Sequence, residues 1–197
     1  MKHSEYETTQ WALENRQVLP DALRVLLQDY PRELWEDDPG FSQLIRFWLD
    51  RHLMFRRIME ALLETTAHVR DKSLDPQSFA HQLSRYGSMF VGELHAHHSV
   101  EDAHYFPVMK TLDSRITAGF DILDKDHHTI DARLQGFAEM ANGVLRGMQA
   151  DEAAAMAQLG PLADELKVLE HFLDRHLTDE EELVVPVLLK YTPEGLV

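Results

Sequence analysis

Residues 41–66 read FSQLIRFWLDRHLMFRRIMEALLETT, and their apolar residues recur every three or four positions. Leu44, Phe47, Trp48, Met54, Phe55, Ile58 and Leu62 make one broad apolar face. The spacing predicts a long amphipathic helix, A, entered after the break Asp37-Asp38-Pro39-Gly40. Three more stretches of the same kind follow. Helix B is expected over about 76–111, with Asp75 as its N-cap and Pro76 in its first turn. Helix C is expected over about 114–146, on Ile116, Phe120, Leu123, Ile130, Leu134 and Phe137. Helix D is expected over about 151–191, kinked at Gly160-Pro161. Four long helices with short connections read as an all-α, up-down-up-down four-helix bundle over residues 41–191. Residues 1–40 read as an N-terminal helical extension, with a helix around Asp21 to Tyr30 between Pro20 and Pro31. Its Trp11, Leu19, Leu23, Leu26, Leu27, Leu34 and Trp35 could cap the bundle or form a homodimer contact.

With 197 residues and 44% hydrophobic content, the chain is long enough to bury one substantial core. It has no cysteine, which excludes disulfides, thiolate zinc sites, Cys-ligated iron–sulfur clusters and cysteine nucleophiles. Lys and Arg number 19 against 34 Asp and Glu, a net charge of −15. That balance speaks against nucleic acid and anionic membrane surfaces as partners. No stretch is apolar enough to span a bilayer, and Met1-Lys2-His3-Ser4-Glu5 does not open a signal peptide, so a cytoplasmic protein is expected. The outlier is histidine, at 12 residues.

Two segments echo one another. His97-His98-Ser99-Val100-Glu101-Asp102 leads to Pro107, and His176-Leu177-Thr178-Asp179-Glu180-Glu181 leads to Pro186. Each runs His, three residues, Glu, a second acid, four residues, Pro. Residues four apart lie one turn apart on the same helix face, so His97 and Glu101 can converge on one centre, as can His176 and Glu180. A single such pair is most simply an exposed contact on a solvated face. Here apolar residues flank both pairs: Leu94, Val100, Tyr105 and Val108 in B, and Phe172, Leu173, Leu177 and Val184 in D. Carboxylates in a bundle core are costly unless a cation lies between them. His52 in helix A and His127 in helix C add one imidazole per remaining helix.

On these residues the chain resembles the hemerythrin-like, or HHE cation-binding, family over roughly residues 41–190. The resemblance implies a four-helix bundle holding two non-haem irons. By position it makes His52, His97, His127 and His176 terminal ligands, with Glu101 and Glu180 at the bridging positions. The O2-carrying members have a His pair four apart in helix C and five histidines in all. Here Asp131 follows His127 by four and Leu123 precedes it by four. His98 is our choice for the further ligand, because it lies about 60° around the helix from Glu101, away from His97. Asp131, His128, His104 and His171 are the alternatives, and His3, His68, His81 and His95 read as surface residues.

Ferritin-like di-iron proteins carry Glu-x-x-His on two helices; Glu101 and His104 give one match, but Leu183 stands where the second would be. The His-Glu-x-x-His of zinc hydrolases is absent. An all-nitrogen-and-oxygen ligand set suits iron, with manganese or zinc as substitutes. The expectation is a di-iron protein that binds or senses O2, NO or iron, with no catalytic residue assigned. The alternatives are a di-iron oxidoreductase, of peroxidase or NO-handling type, and a structural bundle with a vestigial site.

Overall fold

A computed structural model of the chain describes residues 9–192, and His3 lies outside them. The described residues form helices and turns with no strand. The long helices are α1 (Gln43–Arg70), α2 (Pro76–Val100), α4 (Thr117–Ala150) and α6 (Leu159–Tyr191), with α3 (Phe106–Leu112) and α5 (Glu152–Ala157) as short pieces. These correspond to A, B, C and D of the sequence reading, and the described residues are all-helical, as expected. No helix among the described residues is long and apolar enough to cross a membrane.

The helix ends follow local chemistry. Asp75 Oδ1 accepts the Ser78 N–H at 2.9 Å, as an N-cap should, and Pro76 follows it where its missing N–H costs nothing. Asp151 caps α5 in the same way, accepting from Ala154 N at 3.1 Å. α1 closes where Lys72 takes a left-handed φ of 62°, which lets Ser73 N and Leu74 N both reach the His68 carbonyl.

Helix B is one α-helix in the sequence reading, but it is interrupted. Residues Glu101–Tyr105 form a π segment in which Phe106 N–H reaches back five residues to the Glu101 carbonyl. Pro107 follows it closely, and an extra residue in the preceding turn eases the clash of a proline ring with the carbonyl four residues back, although Pro186 sits in α6 without one. The expected kink at Gly160-Pro161 is a break placed slightly earlier, at Gln158, with Pro161 in the first turn of α6. The expected helix around Asp21 to Tyr30 does not form. That stretch is a run of turns, with Leu23 N on Pro20 O and Leu27 N on Arg24 O, and among the described residues of the arm the helical content is two single 3-10 turns, Thr9–Trp11 and Arg32–Leu34. Ten residues between two prolines are too few to hold an isolated helix, and packing decides their path.

The chain divides into two compact units, and each long helix is divided between them, α2 giving only its last three residues to the first. The first takes the residues up to Leu53, His98–Thr129 and those from Asp174 onward. Its core includes Ile45, Trp48, Phe106, Phe120 and Val184 together with Leu19, Leu23, Leu26 and Trp35 from the N-terminal segment. The second, Met54–His97 and Ile130–Leu173, is built on Phe55, Leu62, Phe79, Phe90 and Phe137, with Phe90 edge-on to Phe137.

Candidate metal centre

The first unit buries an unusual number of titratable side chains. His52, His98, Glu101, Asp126, His127, His176, Asp179, Glu180 and Glu181 are all almost inaccessible to water. The His98, His127 and His176 rings bring one nitrogen each to within 4.8 Å of the others. His98 stacks on His127 at 4.0 Å between ring centres, and His176 stands edge-on to both. A second group in this unit, His52, Glu101 and Glu180, has its ligand atoms within the same mutual distance.

The glutamates lie between the groups. Glu180 Oε1 is 3.6 Å from His52 Nε2, while its Oε2 is 3.4 Å from His176 Nε2. Glu101 belongs with His52, and its Oε2 is 3.5 Å from His127 Nε2. Trp48 Nε1 donates to Glu180 Oε1 at 2.5 Å and fixes that carboxylate from behind.

A carboxylate orients three of the four histidines in the two groups. Nδ1 of His52 is 3.0 Å from Glu181, Nδ1 of His127 is 2.8 Å from Asp102, and Nδ1 of His176 is 3.4 Å from Asp126. A carboxylate on Nδ1 selects the tautomer that leaves Nε2 as a lone-pair donor and makes it more basic. The Nε2 atoms of His127 and His176 are buried and make no hydrogen bond. A buried polar atom is ordinarily satisfied, so both point to a ligand of their own. The electrostatics agree. Burial, and then the charge of Glu180, push the Glu101 carboxyl well above its ordinary range. Burial works against charge on His176, but Asp126 and Glu180 outweigh it and raise the ring to about 9. His52 is raised against its burial by Glu180 and Glu181. Without a cation this cluster holds protons to balance its charge, and a metal ion would replace them. Nitrogen and oxygen donors of this kind suit iron or manganese.

A family model described as the hemerythrin HHE cation-binding domain matches residues 43–188. The chain belongs to the hemerythrin HHE cation-binding family. No curated protein and no solved structure matches it. Membership in the hemerythrin HHE family establishes cation binding as the common theme and accords with the His/Glu groups.

Of the residues expected from the sequence, His52, His98, Glu101, His127, His176 and Glu180 come together in the first unit. His97 closes the second unit, half-buried, with its ring 5.2 Å from that of Phe55. Among the alternatives for the further ligand, His104, His128 and His171 are exposed, and Asp131 faces His95 at 3.5 Å. His68, His81 and His95 are exposed, as read.

The sequence reading missed the outer carboxylates. Asp102 and Glu181 follow Glu101 and Glu180 directly, and a helix turns them about 100° off the ligand face. That same rotation carries each toward a histidine on another helix, so each orients an imidazole of the two groups. Asp126, next to His127, serves His176 instead. The sequence signal was an acid adjacent to each candidate residue, which helical angle alone cannot distinguish from a solvated surface residue.

Proposed function

We propose that this chain holds two iron ions in the first unit and uses them to bind or sense a small diatomic molecule, O2 or NO. The carrying observation is the pair of buried carboxylates, each with oxygens near both histidine groups. In this reading His98, His127 and His176 serve one ion and His52 the other, with Glu101 and Glu180 shared. From its spacing of four before Glu101 in the sequence, His97 is kept as a further metal ligand.

A pair of ferrous ions, when bound, supplies the electrons and coordination sites that a diatomic ligand requires. The residues do the rest. Glu181, Asp102 and Asp126 hold the imidazoles in one tautomer and orientation. Trp48 keeps Glu180 from rotating away. Phe106 lies against the His127 ring at 5.4 Å and helps keep water out.

Anaerobic loading with Fe(II), followed by optical spectra before and after O2 or NO, tests this reading. New visible absorption on exposure to either gas is expected. Iron-loaded protein whose spectrum stays blank with both gases would instead fit a bundle that holds metal for structure.

A further inference from the structure

The N-terminal segment, residues 9–40, lies outside the stretch that matches the family, yet it reaches the carboxylates that orient two of the histidines. Arg16 is 2% exposed. Its Nη1 donates to Asp126 Oδ1 at 3.2 Å and to the Trp11 carbonyl at 2.7 Å, and its Nη2 donates to Asp126 Oδ2. Its Nε donates to Asp179 at 2.8 Å. Asp126 Oδ2 is the atom that faces His176 Nδ1. Further along the segment, Arg32 Nη1 donates to Glu181 Oε2 at 2.8 Å, and the other oxygen of Glu181 faces His52 Nδ1. Two arginines of one segment thus meet two ligand-orienting carboxylates, one from each histidine group.

Anchoring the segment does not require this. Leu19, Leu23, Leu26 and Trp35 already fasten it through the apolar core. Burying a guanidinium is costly unless it is fully paired, and the pairing here falls on groups that set the orientation of imidazoles. A carboxylate gripped on both oxygens by an arginine fork cannot swing, so the ring beyond it cannot either.

We propose that the N-terminal segment is the outer shell of the metal centre. Arg16 and Arg32 are its positioning residues, and segment docking and metal binding strengthen each other. The inference rests on the metal-binding reading above. Coupling of this kind is reciprocal: whatever the docked segment adds to metal affinity, metal adds to docking.

Cobalt(II) provides the test, because its optical bands report ligand geometry and chelator competition reports its affinity. Arg16→Ala is expected to keep its helical content, shift the cobalt bands and lose about 10–100-fold in affinity. Arg16→Lys should fall between it and wild type. Arg32→Ala should lose less, because its side chain is 44% exposed. Arg115→Ala, whose partner Asp113 is not among the site carboxylates, should match wild type. Folded Arg16→Ala with unchanged affinity and bands would overturn the proposal. Trypsin cleavage of wild type decides the matter should that variant not fold. Cobalt should slow cutting at Arg16, Arg24 and Arg32 by about 5–150-fold relative to the exposed turn at Arg70–Lys72. Equal slowing at both places would overturn the proposal. Wild type that takes up no cobalt would instead remove the metal reading itself, a different failure.

Discussion

Glu180→Ala is expected to empty both metal positions, as measured by elemental analysis after anaerobic iron loading and desalting. Its two oxygens face different histidine groups, so the truncation removes a donor from each position at once. It also leaves the Trp48 indole N–H without its acceptor in a buried site. Glu101→Ala should behave alike, for the same geometric reason. Asp102→Ala and Glu181→Ala leave every donor in place and only release His127 and His52 to rotate, so each should weaken binding about 10–100-fold without abolishing it. Losses of equal size in all four variants would mean that the wrong acids have been chosen as ligands.

The fold was readable because its signals are local and repeated. Apolar residues at helical spacing marked the four long helices, and Asp75-Pro76 placed the start of α2. The histidines and glutamates were readable for a related reason: a spacing of four survives in any α-helix, whatever surrounds it. The misses are of two kinds, a local backbone adjustment and meetings between distant stretches. The π segment at Glu101–Tyr105 depends on how the chain accommodates Pro107, and the run of turns at 21–30 on where leucines find a core. Arg16 reaches Asp126 across 110 residues of sequence, and no periodicity in either stretch announces that meeting.

Iron should raise the melting temperature of the wild type by about 5–10 °C for each ion when free metal stands a hundredfold above its dissociation constant. Such an ion adds about 2.7 kcal/mol if it binds only the native state. For a domain of this size each kcal/mol moves the midpoint roughly 2–4 °C. The metal-free protein should still be folded, because Phe55, Phe79, Phe90, Phe106, Phe120 and Phe137 are buried without any help from metal. It should melt lower, since Glu101 and Glu180 then face each other across a buried site, and Glu101 stays neutral only by keeping its proton. Glu101→Ala removes that buried, proton-holding carboxyl together with a ligand. The variant should therefore show a smaller rise with iron from a metal-free midpoint close to, or above, that of the wild type. Differential scanning calorimetry of both proteins, with and without iron, reads all four values. Equal shifts in the two proteins would place the metal elsewhere.

The central claim is that Glu101 and Glu180 share two metal ions between the histidine groups. Diffraction from iron-loaded crystals, collected at the iron absorption edge, measures this most directly. The account predicts two anomalous peaks about 3.5–4 Å apart, one beside His98, His127 and His176, the other beside His52, with a glutamate oxygen reaching each. A single peak in well-loaded crystals, or peaks that no oxygen of Glu101 or Glu180 approaches, would contradict it.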